Sequence, residues 1–253
     1  MSDYSDFFGR LILVYRKRGL VGFILAGFRF AYFHLITVPW MTFLCYVYKL
    51  FRRPRIRHFV FRGKQYEYFY HPYNFTWASE RIVEVPIGVA AVQRASGQRI
   101  LEVGNVLGHY IHRSHDVLDK YERAPGVTNC DVIGFRGRAP YDLIVSISTL
   151  EHVGWDVPEE KDPQKVVGAV KRLASLLAPG GTLLVTVPLG YNNDLDRLID
   201  QRKLPFTRQF FLKRTSEANE WREAVYDEVR GAVYNSPFFA ANAILIGLIE
   251  KQQ

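Results

Sequence analysis

Two uncharged runs stand near the start of the chain. Residues 19–28 and, after Arg29, residues 30–48 carry no Asp, Glu, Lys or Arg, and Lys49, Arg52, Arg53, Arg55 and Arg57 follow. Such a run predicts an apolar helix or broken helix, long enough to cross a hydrocarbon layer, with His34 and Pro39 as interruptions. Basic residues at both ends select no orientation. The late start, without a small-residue cleavage site, argues against a cleavable leader. Residues 59–70 alternate imperfectly around Arg62-Gly63-Lys64 and predict a β-hairpin. An aromatic loop, 71–77, follows. Ser79 then reads as the N-cap of a helix reaching about Arg94, bent at Pro86.

From Arg99 the pattern changes. Apolar runs predict strands at 99–103, 115–119, 127–131, 141–147, 181–187, 207–214 and 243–250. Amphipathic stretches predict helices near 106–112, 163–178, 193–203 and 216–229. Strands alternating with helices imply an α/β fold with a mostly parallel sheet. The gaps on either side of Asp131 are too short for crossover helices, so one sheet face is expected to lack some of its cover.

Charge sharpens the division. Residues 1–64 hold 12 Lys/Arg and 2 Asp/Glu, whereas residues 65–253 hold 21 and 23. The net charge of +8 therefore belongs to the N-terminal part. That argues against a nucleic-acid partner, whose phosphates would need a basic face on the α/β domain itself. Cys45 and Cys130 suggest neither a disulfide framework nor a zinc site, and no metal is expected. The expected organisation is a basic apolar helical extension at 1–57, a hairpin and aromatic loop at 58–78, and an α/β domain at 79–253.

The chemistry should gather where the strands end. Gly104 follows the first strand of the domain and allows a tight turn with close backbone approach to a ligand. Asp119 ends the second, where a carboxylate can accept from ribose hydroxyls. Asp131 ends the third. The strand 141–147 runs into Ser148-Thr-Leu-Glu-His152, and Leu177-Ala-Pro-Gly-Gly181 precedes the next strand. In this order, and above all in Leu150-Glu-His152 and Leu177–Gly181, residues 79–250 resemble the class I S-adenosylmethionine-dependent methyltransferases. Members associated with cell-surface glycan pathways look most similar.

The resemblance implies a Rossmann-like sheet with a C-terminal antiparallel hairpin and S-adenosyl-L-methionine as cofactor. It places Glu102, Gly104, Asn105 and Gly108 in the methionine-side loop, Asp119 at the ribose and Asp131 beside the adenine. Residues 146–152, with Ser146 and Ser148, would line the cleft near the sulfonium. The loop departs from the family's three closely spaced glycines, since Asn105, Val106 and Leu107 separate Gly104 from Gly108. His152 is the candidate base for a hydroxyl acceptor, set against a purely structural role in the loop. His109 is a second candidate, and Tyr191-Asn192-Asn193 follows the fifth strand either as acceptor contact or as a helix cap. The implied partner is a small-molecule or glycan acceptor, with an anionic membrane surface for residues 1–57 and room for a homo-oligomer. The cytosolic methyl donor would keep the domain in the cytoplasm, at the membrane face. Two rival readings remain: a non-catalytic membrane-associated nucleoside-binding scaffold, and an NAD-dependent oxidoreductase lacking GxGxxG.

Overall fold

A computed structural model describes residues 19–51, 57–112, 114–137, 140–157, 159 and 161–252. The described residues form two units. One comprises Gly19–Phe51 and Pro72–Phe75, and the other the remainder.

In the first unit, helix α1 (Gly19–Phe51) runs for 33 residues. His34 and Pro39 do not break it. Instead the helix widens to π geometry over Phe33–Thr37, next to Pro39. Proline has no N–H and its ring crowds the preceding turn, so a wider turn there keeps the helix continuous. Leu20, Phe28, Leu35 and Phe51 are all more than 60% exposed. At a rise of about 1.5 Å per residue the helix reaches roughly 50 Å, more than a hydrocarbon core requires.

The second unit begins with strands β1 (His58–Phe61) and β2 (Lys64–Glu67). Arg62 and Gly63, both at positive φ, make the two-residue turn that suits strand twist. Helix α2 (Arg81–Arg94) contains Pro86. Its N-cap is Glu80, which makes no side-chain cap bond; the expected cap, Ser79, sits outside the helix with its hydroxyl buried and unbonded.

Strands β3 (Ile100–Val103), β4 (Asp116–Leu118), β5 (Val127–Thr128), β6 (Tyr141–Ile147) and β7 (Leu177–Pro188) pair in parallel, in the spatial order β5-β4-β3-β6-β7. Beyond β7 the sheet continues antiparallel. Strand β8 (Arg208–Arg214) and strand β9 (Trp221–Ala224) precede β10 (Ala243–Glu250) in sequence, yet β10 inserts between β7 and β8. This is the expected Rossmann-like sheet with its antiparallel C-terminal strands.

Helices α3 (Pro163–Ser175) and α4 (Asn193–Asp200) carry strong caps. The Asp162 side chain accepts from Gln164 N–H with Pro163 as first helical residue, and the Asn192 side chain accepts from Asp194 and Leu195 N–H. They bury Val170, Leu173, Leu195 and Leu198 in one core with Ile144, Leu183, Val185 and Leu245. On the opposite face, α2 and the hairpin bury Ile82, Val85, Val92 and Phe59 with Val145, Ile147, Ile244 and Ile246. As the short gaps predict, no helix joins β4 to β5 or β5 to β6 among the described residues. The second face is covered from the N-terminal side.

Several expectations fail for identifiable reasons. Residues 106–112 give only a 3₁₀ turn, Leu107–His109, at whose start the Glu102 carboxylate accepts the N–H groups of Val106 and Leu107. The strand expected at 127–131 stops at Thr128. The helix expected at 163–178 yields to β7, which pairs with β6 from Leu177 onward. Residues 216–229 are chiefly strand β9 and the one-turn helix α5 (Tyr226–Val229). Trp221 is buried opposite Arg214, while Arg222 and Glu223 are exposed on this edge strand.

Asn219 fastens that region. It adopts φ 61°, its Nδ2 donates to the carbonyls of Trp77 and Ser79, and its Oδ1 accepts from Trp221 Nε1 at 2.7 Å. Asn219→Ala strands these groups in the interior. It should cost about 2–4 kcal/mol in denaturant unfolding; an unaltered midpoint would show that the tie carries no stability.

Candidate functional site

The loop after β3 is organised by one buried carboxylate. Glu102 Oε1 accepts from Val106 N–H (2.7 Å) and Leu107 N–H (2.5 Å), and Oε2 lies 2.8 Å from His115 Nε2. Both side chains are almost entirely removed from water. Gly104 sits at φ +84°, and a Cβ there would come within 2.1 Å of Thr149 Oγ1, so glycine is required on two counts. Gly108 lies within the 3₁₀ turn.

Asp119 stands beyond β4. Its Oδ1 accepts from Tyr121 and Glu122 N–H at 2.8 and 2.7 Å, and its Oδ2 takes only a 3.2 Å bond from Asn105 N–H. The Asn105 side chain donates to Glu122 Oε1 at 2.6 Å. Glu122 also pairs with His109, at 3.1 Å. His109 is thereby tied to the loop behind Asp119. Asp131 lies outside the strands. Its carboxylate takes Ile133 N–H and pairs with Lys165 at 3.1 Å and Lys120 at 3.5 Å. Partial burial pushes its pKa upward, but the Ile133 bond and the two lysines hold it below its ordinary value.

After β6 the chain turns sharply through Ser148, at φ +38°. Its hydroxyl reaches both oxygens of Glu84 on α2, at 2.9 and 2.7 Å. Ser146, two residues earlier, is fully buried with its hydroxyl unbonded. Glu151 and His152 follow in a 3₁₀ turn. His152 Nδ1 lies 2.7 Å from Asp156 Oδ2, and its ring meets Tyr191 edge-on at 5.0 Å. Tyr191 OH donates to the other Asp156 oxygen at 3.3 Å. Nε2, the far nitrogen, is 3.6 Å from Glu151 Oε1. An ionised Asp156 fixes the hydrogen on Nδ1 and leaves the Nε2 lone pair available.

Buried acids crowd behind Ser148 and His152. Burial, then repulsion from Glu80, raises Glu84 to about 7, against which Arg81 and Ser148 act in the opposite direction. Burial drives Glu151 well above the ordinary carboxylate range. The structure thus brings together Gly104, Asn105 and Asp119 at one side, and Ser148 and His152 at the other. Asn192 is a helix cap, and its Nδ2 also holds the Glu151 carbonyl. Glu84 and Asp156 were missed by the sequence reading. A lone glutamate within Ile82-Val83-Glu84-Val85, and an aspartate one helical turn after His152, were the available signals.

No protein-family model matches the chain, and no curated protein matches it. Solved structures do. The N-methyltransferase NodS from Bradyrhizobium japonicum, in complex with S-adenosyl-L-homocysteine, is 14% identical, with a TM-score of 0.40 over 69% of this chain and 92% of that one. A SAM-dependent methyltransferase from Thermotoga maritima is 16% identical, with a TM-score of 0.40 over 65% and 88%. The CurJ carbon methyltransferase is 12% identical, with a TM-score of 0.41 over 70% and 57%. Likeness this distant assigns no residue and no acceptor, and the strand order stands on the chain's own hydrogen-bond ladders.

The buried Glu84 has a consequence for stability. Its folded pKa lies above its unfolded one, so the folded state holds the extra proton between the ordinary carboxylate range and about 7. Stability should fall as pH rises through that window and level off above it. Asp196, raised by burial to about 6, and Glu151 add slopes of the same sign. Thermal melts of Glu84→Gln should show a shallower fall than the parent; identical slopes would place Glu84's proton elsewhere.

Proposed function

We propose that this chain is an S-adenosylmethionine-dependent methyltransferase acting on a hydroxyl of a glycan, lipid-linked or other small-molecule acceptor. One observation carries the reading. A positive-φ glycine, a carboxylate with spare acceptor capacity and a His–Asp pair converge at the carboxyl ends of β3, β4 and β6. These strands straddle the point where strand order reverses, between β3 and β6, the place where open α/β sheets bind ligands.

The residues present fit the cofactor, with fewer side-chain contacts than the loop's length suggests. Gly104 and Asn105 would hold the methionine side through backbone. Asp119 Oδ2, with one long bond, retains capacity for ribose hydroxyls. Glu102, Ser148 and Asp131 already have partners within the protein, so they would shape the site around the cofactor. When bound, the cofactor supplies an activated methyl group on a sulfonium.

The chain's own contribution is a base and its orientation. His152 Nε2 accepts the proton of the acceptor hydroxyl. Asp156, at 2.7 Å from Nδ1, fixes the tautomer and stabilises the imidazolium. Tyr191 holds both members in place by ring contact and hydrogen bond. A scaffold reading has no use for an oriented base, and a nicotinamide reading would want a GxGxxG loop where the chain has Gly104-Asn-Val-Leu-Gly108. The full chain should bind S-adenosylmethionine and not NAD in calorimetric titration. His152→Ala should keep that binding and lower turnover by about 10²–10⁴. Binding of NAD alone, or turnover at the parental level, would sink the corresponding assignment.

Helix α1 supports a membrane location in the same reading. A 33-residue apolar helix with Leu20, Phe28 and Leu35 outward, followed by a basic run, suits insertion in or along an anionic cytoplasmic leaflet. In sedimentation with anionic liposomes, the full chain should pellet and a chain beginning at Arg57 should stay in solution. Equal recovery of both in the supernatant, without detergent, would reject membrane attachment.

A further inference from the structure

The end of the sheet remote from His152 holds a cavity of its own. It measures about 560 Å³ and lies where α2 and the hairpin cover the amino ends of β6 and β7. That is the size of a small-molecule site. Leu143 at its floor stands roughly 16 Å along β6 from Ser148, at about 3.3 Å per residue. The floor is apolar. Leu143, Leu184 on β7 and Leu248 on β10 each keep 6% exposure, whereas Val145 and Ile246, in the same core but away from the cavity, keep none. Phe61 of β1 and Ile87 and Ala91 of α2 complete the apolar lining.

The rim is charged, and its charges are unevenly answered. Arg62, Lys64 and Arg94 line it, together with Asp142 and Glu250. Both acids are engaged: Glu250 pairs with Arg208, and Asp142 accepts the Arg99 N–H at 2.9 Å. Arg62 lays its guanidinium over the ring of Phe210 at 4.8 Å, and Glu223 accepts its backbone N–H. Lys64 and Arg94 have no ion-pair partner among the described residues. Arg94, in the last turn of α2, also complements the helix dipole, but the fold makes no such use of Lys64. Arg62 and Lys64 close the N-terminal part of the chain, whose 12 Lys/Arg outweigh 2 Asp/Glu. Such a rim attracts an anion and repels a cation, while the leucine floor beneath it takes an apolar chain.

We infer that this cavity binds an alkyl phosphate, with its chain over Leu143, Leu184 and Leu248 and its head answered by Lys64, Arg94 and Arg62. A phosphate monoester suits several cations better than a singly charged head does, and a guanidinium can take it bidentately. The site lies outside the proposed methyl-transfer machinery and stands or falls independently of it.

The test titrates three probes calorimetrically into the full chain in phosphatidylcholine nanodiscs: hexyl phosphate, hexanol and inorganic phosphate. Hexyl phosphate should bind at least about tenfold more tightly than either of the others. The double variant Lys64→Gln, Arg94→Gln changes two exposed side chains, and its thermal melt should match the parent's. It should bring hexyl phosphate down to the level of hexanol, and Arg94→Gln alone should fall between. Hexanol binding as tightly as hexyl phosphate overturns the inference, because the head is then not read. Inorganic phosphate binding as tightly overturns it too, because the floor is then not used. So does a preference that survives in the double variant, since the anion is then held elsewhere. Discs that include phosphatidate identify the source. Hexyl phosphate affinity that falls there in the parent but not in the double variant assigns a bilayer lipid as the occupant. Affinity that changes equally in both assigns a soluble alkyl phosphate.

Discussion

The buried carboxylate of Glu102 is the constraint on which the site depends. An ionisable group wholly withdrawn from water must find partners for its oxygens or give up its charge. Here the partners are two successive backbone N–H groups and a buried histidine. Those bonds tie the end of β3 to the loop that follows and to His115 just ahead of β4. They cap the short turn at Leu107–His109, and they set Gly104 where its bare backbone lies against Thr149, beyond β6. Gly104 N–H in turn donates to the carbonyl of Leu118, at the end of β4. Three strand ends are thus referenced to one side chain, and Asp119 inherits its position from that frame.

A second set of buried acids shapes the opposite wall, and its logic differs. Both oxygens of Glu102 and of Glu84 have partners, whereas Oε2 of Glu151 has none. Burial first, and then the neighbouring acids, make Glu84 and Glu151 hold protons more tightly, against the pull of Arg81. Ser148 needs a left-handed backbone to bring its hydroxyl to Glu84. Strain and incomplete satisfaction in one place are what a packed core avoids and what a ligand site tolerates. The proposed base stands beside this wall, at the more exposed end, where Asp156 can orient it in water.

Much of the sheet could be read from the chain. Strands β6, β7 and β10 are continuous apolar runs because both faces are covered, and α3 and α4 declare themselves by amphipathic spacing and by Asp162-Pro163 and Asn192 at their starts. Gly104, Asp119 and His152 were legible as strand-end residues. What could not be read depended on contacts distant in sequence. Strand β9 forms because Trp221 is held by Asn219, which also clasps Trp77 and Ser79 some 140 positions away. Glu84 looks like a solvated helix charge until Ser148, 64 residues later, is seen to meet it. Glu102 reads in the sequence as part of the ligand loop, and only its three-dimensional placement shows its oxygens bonded to that loop and to His115.

The same reasoning bears on whether this chain is an enzyme or a retained scaffold. Packing needs no ionisable group at Glu151: a buried, half-unpartnered carboxyl weakens the fold relative to an apolar residue of similar size. Nor does packing need His152 to be aligned through one nitrogen while the other is left open. A chain kept only for its shape gains nothing from either arrangement. A chain that moves a proton at Nε2 uses the aligned histidine, and the stability lost at Glu151 is the cost of keeping a polar group where water is largely excluded. The apolar cores on the two faces of the sheet, built on β6, β7 and β10, are what allow the fold to bear that loss.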